Sequence, residues 1–343
     1  MTIPGFVADD ANADITNDKR DRAVIAEVGT TSLRISRVTA AGAPDPSFNG
    51  GASLAITVAD APPLVRVRTQ RDRRILVVTS ERNTGTGTID LAVRRVNENG
   101  TLDSTFGTGG VFRWQGPGPA PRTWGAGVGV QADGRIIVSG RYGTGAGRYT
   151  GYVLRLTAAG AIDSTFASGG VRSLVWVAGS VNSARDVAVM DDDRIVTGGG
   201  AYDVTTLIGP SVTARLTANG ALDTTFGTGG QYTYPLPSYG GGWYSVNVAS
   251  NGKVVLGGVK YEDADLNQST GNFLRYRDNG VIDTSFAGDG SFEYAPTTYV
   301  TGPGGFLDND DRPIGALVIG SDVSYANAQP VLVRAEAGKK SCP

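Results

Sequence analysis

The chain contains no histidine. That excludes Ser-His-Asp and Cys-His catalysis and removes the commonest transition-metal ligand. Its single cysteine, Cys342, is the penultimate residue. It can close no internal disulfide, and a terminal tail is a poor place for a nucleophile; an intermolecular disulfide stays open. No apolar run reaches the length of a membrane-spanning helix, so no membrane span is expected. Met1 to Asp18 carries acidic residues where a signal peptide needs a basic end and an apolar stretch, so no signal peptide is read there and the compartment stays open. Lysines number five (Lys19, Lys253, Lys260, Lys339 and Lys340) and the net charge is −2. No electrostatic footprint for nucleic acid exists, and none is expected as a partner. No segment keeps apolar residues at helical spacing for three turns, because glycines interrupt every stretch.

What the chain does have is glycine, fifty of them, with sixteen prolines, many threonines and short Val/Ile runs. This mixture favours strands joined by turns. The strongest signal is internal repetition. The phrase Asp-x-[Ser/Thr]-Phe recurs at Asp45–Phe48, Asp103–Phe106, Asp163–Phe166, Asp223–Phe226 and Asp283–Phe286, its phenylalanines separated by 58, 60, 60 and 60 residues. Six residues before each Phe stands a glycine (Gly42, Gly100, Gly160, Gly220, Gly280). Eleven before it stands an arginine (Arg37, Arg95, Arg155, Arg215, Arg275).

Each unit reads as four strands, here a to d. In the third, Val128–Gln131 is strand a, and Ala132-Asp133-Gly134 turns the chain into strand b at Arg135–Ser139. A Gly-rich loop at Tyr142–Arg148 leads to strand c, Tyr152–Thr157, and strand d runs from Val171 to about Trp176. Four-stranded units in tandem bury their exposed edges best as radially packed blades, so the expected fold is all-β: a β-propeller of four-stranded antiparallel blades.

The stretch ADGRIIVSG…YVLRLTAAGAIDSTFASGGV resembles the delta-60 repeat, a bacterial repeat with the same DG-K/R turn, Arg-bearing strand, N/D-G turn and D-x-[ST]-F-G. The resemblance covers nearly the whole chain. It implies a propeller in exported or cell-surface proteins, and it brings no catalytic residues to carry over.

Five motif copies reach about residue 296, and Gly305–Leu307, Pro313–Gly320 and Pro330–Ala335 read as strands a, b and c of a sixth unit, with Arg334 at the recurring arginine position. A strand at about Ile3–Val7 would complete the ring. The expectation is one domain over 1–338 with six blades (about 1–60, 61–116, 122–177, 182–236, 242–296 and 300–338) and a tail at 339–343; five or seven blades are the alternatives.

A residue present in every unit serves every unit. The recurring Arg and Asp are therefore expected to pair, tying strand c to its turn, with a charged ring along the central channel as the alternative. The recurring Phe is expected as a core wedge between sheets. Strand d repeats aromatics at Trp114, Tyr234 and Tyr294, preceded by Phe112, Tyr232 and Phe292; the third unit has Arg172 and Leu174 instead. These should pack on the adjacent blade.

Interval lengths point to a recognition face. From recurring Arg to recurring Phe the spacing is constant, whereas the b–c and d–a connections vary, and both emerge on one face of a propeller. Variable loops on a rigid frame commonly carry binding. That face holds Trp124, Trp176, Tyr239, Trp243 and Tyr244 as candidate binding residues, with capping of blade junctions as the plainer reading. The loop Tyr261–Asn272 begins like a calcium loop at Asp263, Asp265 and Asn267, but Gln268 stands where glycine is needed and Leu274 where the closing Glu belongs. No cofactor is expected, and calcium is a weak candidate. The segment Asp9–Asp21 reads as a solvated connection.

The expectation for function is a non-enzymatic binding or structural module recognising a protein, a glycan or neighbouring copies. The alternative is a carboxylate-based glycan-active enzyme of the glycoside hydrolase type, which needs neither His nor Cys. Glu27, Glu98, Glu262 and Glu293 are its unrepeated acids, and they fall in different strand classes.

Overall fold

The computed structural model describes residues 12–18, 20–29, 31–59, 64–117, 122–206, 208–234, 240–262, 268–294, 299–307, 311–320 and 329–334. Contacts gather into two compact units, Met1–Gly145 with Leu154–Ser164, and Ala146–Val153 with Thr165–Pro343. The domain expected over 1–338 is described here as these two units.

In the first unit, β1 (Asn12–Asn17), β2 (Ala23–Val28), β3 (Ser32–Val38) and β4 (Leu54–Thr57) form an antiparallel sheet in chain order. So do β5 (Val65–Thr69), β6 (Ile75–Arg82), β7 (Ile89–Val96) and β8 (Val111–Trp114). β9 (Thr123–Val130) then pairs antiparallel with β10 (Ile136–Gly145). β11 (Arg148–Leu156) is divided between the units, and β12 (Val171–Leu174) lies in the second. The second unit continues with the antiparallel set β13 (Val181–Val189), β14 (Ile195–Tyr202), β15 (Ser211–Leu216) and β16 (Gln231–Tyr234). A further set is β17 (Gly241–Val248), β18 (Val254–Tyr261), β19 (Ser269–Tyr276) and β20 (Ser291–Tyr294). Last come β21 (Tyr299–Leu307), β22 (Pro313–Gly320) and β23 (Gln329–Arg334) as three strands. Register repeats faithfully. Arg37, Arg95, Arg215 and Arg275 each face the second residue of the preceding strand, and Arg334 does the same opposite Ile314.

Three readings change. Asp9–Asp21 is not a solvated connection: β1 lies inside it, paired along its length with β2, and Asp18 is buried against Arg22 at its end. The alternating Ala-Asp-Ile-Thr stretch supplies a strand although its polarity hides it. Tyr142–Arg148 is not a loop. β10 runs to Gly145, β11 starts at Arg148, and the chain turns at Ala146 and Gly147 with φ of 50° and 73°, the left-handed pair of a two-residue turn. Strand a of that unit begins at Thr123, ahead of the Val128 expected. The segments Ile3–Val7 and 339–343 lie outside the described residues.

The motif works as one device. In the first copy Asp45 Oδ1 accepts the Ser47 amide (2.9 Å) and hydroxyl (2.7 Å), which closes the turn, while its Oδ2 takes Arg37 Nε at 2.7 Å. This is why a hydroxyl residue always stands two places after the Asp. Thr105, Thr225 and Ser285 repeat the contact, and Arg95, Arg215 and Arg275 repeat the ion pair at 2.7–2.8 Å. In the third copy Arg155 Nε is 2.9 Å from Asp163 Oδ2, yet neither atom is aligned for a hydrogen bond; the contact is ionic.

A second cation, which the repeat spacing does not reveal, comes from the turn between the first two strands of each unit. Arg22, Arg74, Arg135, Arg194 and Lys253 approach the same aspartates at 3.1, 3.2, 2.9, 3.6 and 2.8 Å. The a–b turn and the motif therefore share one end of each unit. Burial raises the carboxyl pKa, but the Ser47 and Arg37 bonds outweigh it and bring Asp45 down to about 2; Asp103, held by Thr105 and Arg95, also falls to about 2.

The phenylalanines are buried, and each arginine stacks over its own: Arg37 lies 5.0 Å from the Phe48 centroid, Arg95 4.6 Å from Phe106, and Arg215 4.9 Å from Phe226. Each Phe in turn packs against the glycine turn of the next copy, Phe48 on Gly100 and Phe106 on Gly160 in the first unit, Phe166 on Gly220 and Phe226 on Gly280 in the second. Backbone bonds seal the joint, as in Asn49 N to Asn99 O (2.8 Å) and Ala167 N to Asn219 O (2.9 Å). The last-strand aromatics also reach forward, with Tyr232 5.0 Å from the Tyr276 ring and Tyr234 5.7 Å from Trp243.

Candidate functional site

With the repeated residues gathered at one end of each unit, the unrepeated ones stand at the other, where b–c and d–a connections lie. In the first unit this end holds a closed polar network. Glu81 is buried against Arg94 and takes Arg113 at 2.7 Å; burial raises its pKa, but the Arg94 bonds dominate and bring it to about 2. Asp90 accepts from Asn83, Thr88 and Gln115 at 2.7–3.0 Å. Both carboxylates are fully engaged, so the network braces the loop rather than offering a site.

The candidate binding residues separate. Trp124 is half-buried with the Arg141 guanidinium 5.1 Å above its ring. Trp176 is half-buried over Gly151, its amide held by Asn182 Oδ1 at 2.8 Å. Trp243 is not an exposed anchor: it is 1% exposed, inside the core cluster with Val246, Leu256 and Tyr276. A one-residue irregularity in its strand turns it inward and its neighbour Tyr244 outward. Tyr239, Asp263, Asp265 and Asn267 lie outside the described residues. Glu262 takes the Thr270 hydroxyl at 2.8 Å. The acids also group in a way their strand classes did not suggest, since Glu262 and Glu293 meet on Lys260 at 3.2 and 3.4 Å. Glu98 is bound by Arg73 at 2.8 Å and Arg22 at 3.2 Å. Glu27 sits buried opposite Arg34, and burial raises its pKa.

The most unusual chemistry is at Arg185, which the repeat reading missed. The β13–β14 pairing shifts register between Ala184 and Asp186, so Arg185 is an extra residue; Tyr244 is the extra residue of β17. Such bulges re-aim a side chain. Here they bring the Arg185 guanidinium 4.4 Å from the Tyr244 ring centroid and 5.9 Å from that of Tyr202. Tyr261 joins them electrostatically: burial lowers the Arg185 pKa, but the phenols of Tyr244, Tyr202 and Tyr261 outweigh it, and the net direction is up. Nη1 of Arg185 is buried and has no hydrogen-bond partner. It rests against Gly242, where a Cβ would overlap it. Glycines inside the second strands, Gly198–Gly200 and Gly257–Gly258, are the sequence trace of the bulges, because backbone carbonyls of the first strand press on Gly199 and Gly258.

Three segments, 70–106, 131–166 and 249–286, match the family model described as "Domain of unknown function (DUF5122) beta-propeller". The fold is a β-propeller. Solved structures agree at the level of fold. A subtype N10 neuraminidase-like protein from A/little yellow-shouldered bat/Guatemala/060/2010 superposes with TM-score 0.51 at 11% identity, covering 97% of this chain and 96% of that one. A protein of unknown function from Dyadobacter fermentans gives TM-score 0.51 at 10% identity, over 94% of this chain and 92% of its own. A thermostable family-43 glycoside hydrolase gives 0.48 at 11% identity, over 80% and 91%. No curated protein matches the sequence. At such identities these likenesses speak for the propeller alone, and its chemistry has to be read from its own residues.

Proposed function

We propose that this propeller is a non-enzymatic binding module of six blades, recognising a protein or a glycan through the ends of its blades that carry the b–c and d–a connections. One observation carries the reading: the repeated Arg, Asp and Phe are consumed by blade-to-blade joints, while the unrepeated Trp124, Trp176, Arg185 and Tyr244 stand at the opposite strand ends. Half-buried aromatics beside arginine are common binding anchors. An enzymatic reading needs two acids facing one open site. Glu98 is committed to arginines and Glu262 with Glu293 to one lysine, which argues against it.

The test is a glycan and protein array with a parallel hydrolysis screen on purified protein. Capture without turnover is expected, and it should fall when Trp124 and Trp176 are changed to Ala while circular dichroism stays native. Turnover of any glycan, or capture indifferent to both substitutions, would sink the proposal.

A further inference from the structure

We propose that Arg185, with the phenols of Tyr202, Tyr244 and Tyr261, is a subsite for the carboxylate of an acidic sugar. This rests on the reading of that blade end as the recognition end. The bulge belongs to the scaffold but the cation does not. One repeat earlier β9 makes the same register shift between its pairs with Ser139 and Gly140, and its extra residue is Ala126. A blade therefore closes without a guanidinium there. Burying Arg185 Nη1 with no acceptor is unfavourable by roughly 1–3 kcal/mol or more, and ring faces at 4.4 and 5.9 Å return only part of that. An incoming oxyanion supplies the missing acceptor.

The charge inventory selects the anion. The site offers one guanidinium. The nearest other cation along β18 is Lys260, which Glu262 and Glu293 already share, leaving that triad net negative. A monovalent, planar carboxylate suits a single guanidinium; a phosphate dianion or a polyanionic strand meets repulsion from the triad. The phenols select the carrier. Tyrosine faces pack against the C–H face of a pyranose and their hydroxyls reach its ring hydroxyls, whereas an acidic peptide would use the guanidinium alone. Tyr202 and Tyr261 end β14 and β18, so the subsite adjoins the b–c connections that follow them.

Calorimetric titration of the full chain with trigalacturonate, neutral galactotriose and hexaglutamate tests this. Binding of the uronate and not of the neutral sugar or the peptide is expected. Arg185→Lys should weaken uronate binding at least about tenfold, or 1.4 kcal/mol, and Tyr244→Phe, which removes one hydroxyl, should weaken it less while leaving the fold untouched. If Arg185→Lys fails to fold, Tyr244→Phe carries the test. No uronate binding, binding unchanged in both variants, or peptide binding as tight as uronate would each overturn the subsite. Array capture that depends on Trp124 and Trp176 but ignores Arg185→Lys would reject the subsite and leave the binding module standing. Uronate binding through Arg185 with no array capture would do the reverse.

Discussion

Replacing Arg215 by Ala removes more from this fold than any other single change in the repeated motif. Its side chain is fully buried, its Nε donates to Asp223 Oδ2 at 2.8 Å and its Nη2 to Thr225 Oγ1 at 2.9 Å. Nη1 crosses to the next copy, bonding the Asp278 carbonyl and, at 2.9 Å, its carboxylate, while the guanidinium lies 4.9 Å over Phe226. Truncation strands the Asp223 carboxylate with only Arg194, 3.6 Å away, as a cation. Breaking a buried pair on one side costs about 3–5 kcal/mol, to which loss of the ring contact adds about 1, while Arg194 can move in and offset part. The expected destabilisation is about 3–5 kcal/mol, read as a fall in urea midpoint at constant m-value. Hydrogen exchange should quicken at Gly227 N, whose partner is Asn279 O at 3.1 Å. Arg155→Ala is the internal comparison. Its Nε is not aligned on Asp163, and Arg135 holds the same Oδ2 at 2.9 Å, so its cost should be smaller. A midpoint for Arg215→Ala within error of the parent, or a larger loss for Arg155→Ala, would refute the reasoning.

Acid should unfold the protein from the motif outward. Asp45 and Asp103 have folded pKa values of about 2 against an ordinary 3.8, so their contribution is complete above pH 4 and is lost as pH falls from 4 toward 2, roughly 2 kcal/mol for each; a urea midpoint flat from pH 5 to pH 2.5 would contradict this. Gly220→Ala places a Cβ 2.7 Å from the Phe166 ring at φ +83°, whereas Gly252→Ala has φ +77° and no heavy atom within 4 Å. The first should lose about 2–4 kcal/mol and the second about 1, and equal thermal shifts would show that the Phe–Gly joint between blades is not tight.

What the sequence by itself determined is everything that repeats. Local chemistry is the same in each copy, so spacing alone marks Arg37 with Asp45, the hydroxyl at Ser47, the wedge at Phe48 and the register that Arg334 still keeps opposite Ile314. It did not expose the second cation on each aspartate, because Arg74 and Asp103 lie on different turns that only the folded sheet brings to 3.2 Å. Nor could it orient the aromatics. Side chains alternate across a strand, so one extra residue reverses every face beyond it. A single bulge sends Trp243 into the core and turns Tyr244 toward Arg185, itself aimed by a second bulge one blade earlier. The scaffold is a property of the repeat; the candidate site belongs to the tertiary structure, which alone decides where the repeat is interrupted and what its irregular residues meet.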